Sequence, residues 1–311
     1  MRKLYAKGIL ILAIVCLLCV GVLFLSAKEP FKTPITKLTA SENYKDQLNA
    51  SNEVETYIKK ASQNKNSTKL IIGDSVCNSL FGELEELNPD YSILCCNKGI
   101  TMAGQYILAK EYLDTHENVT DLYLIMISNS LITGFDTDFG YQYAVMPFVK
   151  TDKISYLDDE TIKQMKDLYL APFVKKDMVY FVEESPLMKK LYLNILKQFK
   201  PTKLTLEYPD VTTRYIQKIY DMCQGKNVTM HFISPPLADS KQRREIEQTL
   251  QKEYKNSVLY ELFPAYYDGY LYYPAEWFGD GIHPSVDRSM KNDMIREMEQ
   301  ANHIVWDLRL E

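Results

Sequence analysis

The sequence alternates short apolar runs with longer amphipathic segments, and this alternation limits the folds that the chain can adopt. Apolar runs occupy residues 69–73, 91–96 and 121–127, and two further runs follow at 228–233 and 257–261. Short runs that are almost free of polar residues are typical of parallel strands covered on both faces. The pattern predicts an α/β fold, a three-layer α/β/α sandwich of the flavodoxin-like kind, with these five segments in one parallel sheet.

Residues 135–210 interrupt this alternation. They are rich in Tyr, Phe, Lys and Asp, carry helical patterns and contain no clear strand, so we interpret them as a helical insertion over one edge of the sheet. The chain of 311 residues is 46% hydrophobic, which is enough to bury a full core. Its formal charge of −5 argues against a nucleic-acid partner, which a basic face would favour.

An uncharged segment near the N-terminus predicts a membrane helix. It runs from Gly8 to Ala27, close to the roughly 20 residues that a helix needs to cross the hydrocarbon layer. A cleaved signal peptide is the competing interpretation, but its apolar core is shorter, about 7–15 residues. The sequence Leu-Ser-Ala at its end is also a poor cleavage site, so we favour an uncleaved anchor.

Basic residues fix the expected orientation of this anchor. Arg2, Lys3 and Lys7 precede the apolar run, and the positive-inside tendency places them in the cytoplasm. We therefore expect a single-pass protein of the cell membrane, held through residues 8–27, whose remaining chain is extracytoplasmic. The predicted division is a tail and anchor at 1–27, a stem at 28–66 and the α/β domain at 67–311.

Cysteines outside the anchor predict no metal centre. The spacing of Cys77, Cys95, Cys96 and Cys223 matches no zinc pattern, and Cys95 and Cys96 point to opposite faces of a strand. We interpret all four as small buried residues and leave one disulfide open. No cofactor is expected.

The stretch "TKLIIGDSVCNS" carries the first candidate for chemistry. Gly73 ends an apolar run, and Asp74 and Ser75 follow where a helix would begin. Ser and Asp are also common helix caps, so this turn alone indicates no chemistry. A nucleophilic Ser at this position requires a base and an orienting acid from elsewhere in the chain.

One histidine has the required surroundings. In "WFGDGIHPS", Asp280 lies three residues before His283, a separation that lets the carboxylate turn back and accept the Nδ1–H of the imidazole. The alternative is an ordinary Asp-Gly turn ahead of a helix near Ser285. The other histidines, His116, His231 and His303, are interpreted as structural or solvated.

Together, "GDS" after the first strand and "DGIH" before the last helix resemble the first and last blocks of the SGNH (GDSL-like) hydrolase family. The resemblance implies Ser75 as nucleophile, His283 as general base and acid, and Asp280 as the orienting acid. It further implies an oxyanion hole built from the Ser75 N–H, a glycine after the second strand and an asparagine after the third.

Both further oxyanion donors have candidates here. Gly99 and Gly104 follow the second strand; we favour Gly104, because it opens a helix and its N–H would point toward a developing anion. Asn129 follows the third strand, although the usual Gly-x-Asn-Asp form of the family is missing. Asn129 could instead cap a turn.

Together with the anchor, the resemblance implies a membrane-anchored serine esterase or O-acyltransferase acting on acyl groups of cell-envelope carbohydrate, because similar anchored domains of this family act on such groups, often beside a membrane-bound O-acyltransferase as a partner. We predict substrate contacts by Asp74 and by Trp277, which lies in an aromatic-rich loop suited to sugar rings. An α/β-hydrolase would need G-x-S-x-G, and Cys77 replaces the last glycine. A catalytically silent, glycan-binding accessory domain is the alternative.

Overall fold

A four-stranded parallel sheet forms the centre of the computed structural model. Its strands are β1 (Lys69–Gly73), β2 (Tyr91–Cys95), β3 (Asp121–Ile125) and β4 (Thr229–Ile233), in the spatial order β2-β1-β3-β4. These strands match four of the predicted segments, and the predicted α/β class with a parallel sheet is confirmed. The structure describes residues 2–39, 53–63, 66–84, 87–96, 101–135, 148, 151–169, 177, 181, 184–188, 190–191, 205–306 and 308.

Helices precede, separate and follow the strands. They are α1 (Arg2–Ser26), α2 (Lys32–Thr39), α3 (53–61), α4 (Ser75–Phe81), α5 (Met102–Thr115), α6 (Ser128–Leu131), α7 (Asp159–Tyr169), α8 (Asp210–Gly225), α9 (Lys241–Lys255), α10 (Val258–Leu262) and α11 (Arg288–Ala301), with 3₁₀ turns at Lys153–Tyr156 and Ala275–Trp277.

The fifth predicted strand, at 257–261, is wrong. This segment forms α10, which buries Leu259 while Val258 and Tyr260 remain exposed. Over five residues an apolar run fits a buried strand and a short helix equally well. The structure instead adds a small, separate parallel pair, β5 (Leu237–Asp239) and β6 (Tyr272–Pro274), which the sequence did not predict.

Apolar side chains fill both faces of the main sheet. Along β1, Leu70 and Ile72 join one hydrophobic cluster and Ile71 joins another, because successive strand residues point to opposite faces. The first cluster receives side chains from α3, α5 and α8, and the second receives them from α4 and α11. The packing of these helices holds the sheet in place and thereby positions the turns at the carboxyl ends of the strands.

Part of the predicted stem at 28–66 packs against the predicted α/β domain. Helix α3 lies in the predicted stem, yet its Val54, Ile58 and Ala61 are buried in the first cluster. In the predicted insertion, helix α7 confirms one of the two helical patterns. The other, at 185–199, lies largely outside the described residues.

The four domain cysteines are buried and none is in a disulfide. Cys95 and Cys96 belong to different clusters, which confirms that they point to opposite faces. The Sγ atoms of Cys77 and Cys95 lie 2.8 Å apart, and burial raises the pKa of the Cys77 thiol well above its usual value.

Helix α1 contains a stretch, Tyr5–Ser26, that is long and apolar enough to cross a membrane, with a mean hydropathy of 3.2. The apolar side chains of this stretch are not buried within the protein and are available to lipid, whereas Ser26 at its end is buried.

Candidate active site

Ser75 lies at the carboxyl end of β1, where the topology opens a crevice. The chain moves from β1 to β2 on one side and then returns to β3 on the other, so the strand order reverses between β1 and β3. Loops at such a reversal separate, and ligands of open α/β sheets bind there. The prediction that Ser75 sits at this edge of the sheet is confirmed by its place directly after β1 and Asp74.

Asp74 ties the Ser75 turn to the neighbouring turn after β3. Its Oδ1 accepts the backbone N–H groups of Val76 and Cys77 at 3.0 and 3.2 Å, which caps α4. Its Oδ2 accepts the Ile127 N–H at 2.9 Å and the Ser130 hydroxyl at 2.7 Å. The carboxylate therefore holds both turns in a fixed relation.

The protein itself supplies the hydrogen-bond donors to both oxygens of Asp74, so the position of this side chain does not require a ligand. The residue is 1% exposed and both oxygens are occupied by protein donors, so the predicted substrate contact has no support in the structure. Burial raises the pKa of its carboxyl above the usual value, and the four donated hydrogen bonds oppose that rise.

The second part of the site is a short loop ahead of α11. An antiparallel bridge between Phe278 and Pro284 closes this loop, and Gly281 lies at its tip with a φ of 77°. That left-handed conformation suits glycine and strains other residues. Within the loop, Asp280 Oδ1 accepts the backbone N–H groups of Ile282 at 2.9 Å and of His283 at 2.7 Å.

These two parts meet in a continuous chain of hydrogen bonds. The Nε2 atom of His283 lies 2.7 Å from the Ser75 Oγ, and its Nδ1 lies 2.6 Å from Oδ2 of Asp280. Ser75 and His283 are 208 positions apart in the sequence and contact only through the fold. The arrangement places a hydroxyl, an imidazole and a carboxylate in the order that general-base activation of a nucleophile requires.

The Asp280 carboxylate is held in its charged form. Hydrogen bonds from His283, first from its backbone N–H and then from its ring, lower the pKa of Asp280 from 3.8 to about 2. A lowered carboxyl pKa stabilises the folded loop at neutral pH, and that contribution is lost as the pH falls through the interval from 3.8 to about 2. At neutral pH, Asp280 can therefore accept from Nδ1–H and leave Nε2 to face Ser75.

If the aligned groups make Ser75 a nucleophile toward esters, Asp280→Asn is expected to lower kcat/KM for an activated acetate ester by about 10⁴, while leaving a rate above that of Ser75→Ala. An amide at this position no longer favours the imidazole tautomer whose Nε2 accepts a proton, yet nucleophile and base remain. Steady-state kinetics of the three proteins checks the order. Equal rates for Asp280→Asn and the unchanged protein would remove Asp280 from the site.

Asn129 lies on α6, directly after the turn that Asp74 holds. Its side-chain Oδ1 accepts a hydrogen bond from Arg243 Nη1 at 2.9 Å. Arg243 also approaches Glu247 Oε1 at 3.4 Å, and the same oxygen accepts the Ser128 hydroxyl at 2.5 Å. A guanidinium only donates, so it selects the oxygen of the amide and directs the Asn129 NH₂ group elsewhere.

Sequence reasoning missed Arg243 and Glu247. Both are buried on α9, one turn apart, and meet Ser128 and Asn129 across more than a hundred positions. Burial raises the pKa of Glu247, which the Ser128 hydroxyl and the charge of Arg243 oppose. Their spacing of four residues is typical of an ordinary ion pair on a helix surface, so nothing in the local sequence indicated a role at the site.

The predicted backbone donors differ in their placement. Ser75 is the first residue of α4, and among the described residues its N–H has no acceptor, as expected at a helix start. The Gly104 N–H, by contrast, donates to the Thr101 carbonyl at 2.9 Å, so this placement does not support it as an oxyanion donor. Gly99 lies outside the described residues.

Trp277 stabilises the loop that carries His283. Its carbonyl accepts the Ser285 N–H at 2.8 Å, and its ring stacks on Tyr273 with a centroid distance of 5.5 Å. The side chain is half-buried, so part of its surface faces solvent. A substrate contact by Trp277 stays a prediction.

No group of three or more His, Cys, Asp or Glu side chains within the described part of the chain is arranged to hold a metal ion. Comparison with protein-family models, with curated proteins and with solved structures finds no match.

Proposed function

We propose that the protein is a membrane-anchored serine esterase or O-acyltransferase with an SGNH-type, three-layer α/β/α domain. The observation that carries this proposal is the hydrogen-bonded chain from Ser75 through His283 to Asp280, at 2.7 and 2.6 Å. It lies where ligands of open parallel sheets bind. A serine that only caps a helix would not need a histidine and a carboxylate aligned behind it.

The first half of the reaction forms an acyl-enzyme. His283 Nε2 takes the hydroxyl proton while Ser75 Oγ attacks the ester carbonyl, and the Asp280 carboxylate stabilises the resulting imidazolium. The tetrahedral oxyanion is stabilised by the Ser75 N–H and the Asn129 NH₂, each donor being worth about 3 kcal/mol of barrier. Collapse breaks the bond to the leaving alcohol, which receives the proton from His283.

The second half decides between the two activities. His283 deprotonates either water or a carbohydrate hydroxyl, which attacks the acyl-Ser75 ester and regenerates the enzyme. Water gives a free carboxylic acid, and a carbohydrate hydroxyl gives a new ester. The two activities therefore need the same residues and differ only in the acceptor.

The proposed substrate is acylated carbohydrate of the cell envelope. The apolar stretch of α1 would anchor the protein, and Arg2, Lys3 and Lys7 ahead of it favour a cytoplasmic N-terminus and an extracytoplasmic domain. A site beside the membrane can receive acyl groups from a membrane-bound O-acyltransferase. Trp277, which is half-buried and stacks on the buried Tyr273 beside the His283 loop, offers aromatic surface suited to a sugar ring.

The direct test is covalent trapping of the nucleophile. The purified full chain is treated with a fluorophosphonate, which phosphonylates an activated serine and releases fluoride, and the modified peptide is identified by mass spectrometry. We expect modification at Ser75 together with loss of hydrolysis of a nitrophenyl acetate ester. A folded protein that neither hydrolyses the ester nor reacts with the probe would leave the glycan-binding accessory role instead.

Orientation in the membrane gives a separate prediction. Protease added to intact cells should digest the domain and leave only the anchor and the short tail protected, because positive charge retains the N-terminus inside. Immunodetection of tags at the two ends before and after lysis checks this. A domain that is cut only after lysis would contradict the extracytoplasmic location.

Asn129 and Arg243 should act as one unit. Asn129→Ala is expected to lower kcat by about 10²–10³, the effect of losing one oxyanion donor, with little change in KM. Arg243→Met should lower kcat about tenfold in the unchanged protein, yet have little further effect in the Asn129→Ala background, since coupled residues are not additive. Steady-state kinetics of the four proteins measures this coupling.

Two further variants control for folding. Arg244→Met removes a neighbouring arginine of α9 whose partner Asp239 is exposed, and it should keep full activity. Arg243→Lys retains the charge beside Glu247 and serves if Arg243→Met is unstable. Equal losses from Arg243→Met in both Asn129 backgrounds would mean that Arg243 does not orient Asn129.

A further inference from the structure

The last turn of α1 contacts a distant part of the chain through hydroxyl groups. The Oγ atoms of Ser26 and Ser185 lie 2.6 Å apart, and both residues are fully buried. The Ser185 hydroxyl also lies 3.0 Å from the Leu23 carbonyl, one of the last carbonyls of α1. The end of α1 is thus bonded to a segment 159 positions away.

We call this segment the anchor-contacting segment; it comprises the described residues 181, 184–188 and 190–191. Two further contacts fix it to the anchor region. The rings of Phe24 and Phe181 lie 4.5 Å apart, and Lys32 of α2 forms an ion pair with Glu184. A hydroxyl pair, an aromatic pair and an ion pair therefore join the same two parts of the chain.

The position of these contacts along α1 sets their depth. The apolar run from Gly8 to Ala27 spans about 30 Å as a helix, which matches the hydrocarbon layer. Ser26 lies at its final turn, so a membrane-spanning α1 places the Ser26–Ser185 contact at the boundary between acyl chains and headgroups. The anchor-contacting segment must then lie at the same level.

Exposed apolar side chains occur both in the anchor-contacting segment and in α2, the helix after the anchor. Leu191, at the end of the anchor-contacting segment, is 48% exposed, and Leu38 of α2 is 83% exposed. The side chains of Lys28, Lys37 and Lys190 are exposed nearby in the sequence, and basic groups at a membrane surface are attracted to anionic headgroups. Apolar side chains beside lysines are the composition of interfacial, membrane-lying elements.

We propose that the anchor-contacting segment lies on the bilayer surface, with Leu191 in contact with lipid, and that it fixes the domain against the membrane. This inference rests on the proposed anchoring by α1 and is independent of the catalytic assignment. The described residues of the inserted region between 181 and 191 thereby acquire a role, which is to hold the domain against the membrane.

The test uses the full chain in lipid nanodiscs containing anionic lipid. Cys16 and Cys19 are replaced by serine, and the four buried domain cysteines are left in place. Leu191→Cys is labelled with an environment-sensitive fluorophore, and quenching by lipids carrying a shallow nitroxide is measured. Val305→Cys is the matched control, because Val305 is 80% exposed and lies next to Trp306, which is buried in the second cluster with side chains of α4 and α11.

Contact with lipid predicts quenching several-fold stronger at position 191 than at 305. Equal, weak quenching at both positions in a protein that stays in the nanodisc would overturn the inference and leave the anchor intact. A chain that is not retained by the nanodisc would overturn the anchor as well. Neither outcome bears on ester hydrolysis, which is measured separately.

Discussion

Ser75→Ala is expected to lower kcat/KM for an activated acetate ester by about 10⁶, and His283→Ala should do nearly the same. In the proposed mechanism the hydroxyl forms the bond to the acyl group, and the imidazole, whose Nε2 lies 2.7 Å from the hydroxyl, is the base. Because the two act as one unit, the double variant should be no slower than either single variant. Steady-state hydrolysis, with circular dichroism as a check on folding, measures all three.

Ser79→Ala provides the matched control on the same helix. Its hydroxyl donates to the Ser75 carbonyl at 2.9 Å and contacts none of the three aligned groups. Hydrolysis by this variant should stay within a few-fold of the unchanged protein. Undiminished hydrolysis by Ser75→Ala would refute the proposed enzyme, whatever the result at Ser79.

Gly73→Ala is expected to destabilise the protein by about 3 kcal/mol or more, at the upper end of overpacking effects. An added Cβ would lie 2.2 Å from the Ile125 carbonyl oxygen and 2.6 Å from the Cys77 Cβ. The carbonyl belongs to β3 and cannot move without disturbing the sheet. Urea-induced unfolding, followed through the fluorescence of the buried Trp306, measures the loss.

Gly225→Ala is the control for this substitution. Gly225 ends α8, and nothing lies within 4 Å of an added Cβ. Alanine there should be neutral or stabilise the helix by up to about 1 kcal/mol. If both variants unfold at the same urea concentration as the unchanged protein, that result would contradict the close approach between the Ser75 turn and β3.

The strands that the sequence predicted share a simple property. β1 to β4 are short, nearly all apolar and separated by helical patterns, so burial on both faces was visible in their composition. Apolar composition led to a wrong prediction for α10, because five residues are too few to distinguish the period of a strand from that of a helix. It also missed β5 and β6, whose three residues each are too few to form a pattern.

The candidate site divides in the same way. Asp280 and His283 were predicted because their interaction is local, and Ser75 because its motif resembles a family block. Asp74 was placed in the turn correctly, but its four partners could not be foreseen, since two of them, Ile127 and Ser130, come from the loop after β3 and from α6. Arg243 reaches Asn129 only through the packing of α9 against α6, which no sequence spacing encodes.

The exposure of the Asp280–His283 loop has a consequence for product partitioning. The two side chains are 56% and 36% exposed, so in the proposed mechanism bulk water reaches the face from which acyl-Ser75 is attacked. The acyl-Ser75 intermediate is then hydrolysed unless an acceptor is bound. Transfer occurs only when an acceptor covers the Asp280–His283 loop and displaces water from it. The ratio of new ester to free acid should rise with acceptor concentration while donor consumption, when limited by acylation, stays constant. If the ratio of new ester to free acid does not depend on the acceptor concentration, an acceptor does not compete with water at the Asp280–His283 loop.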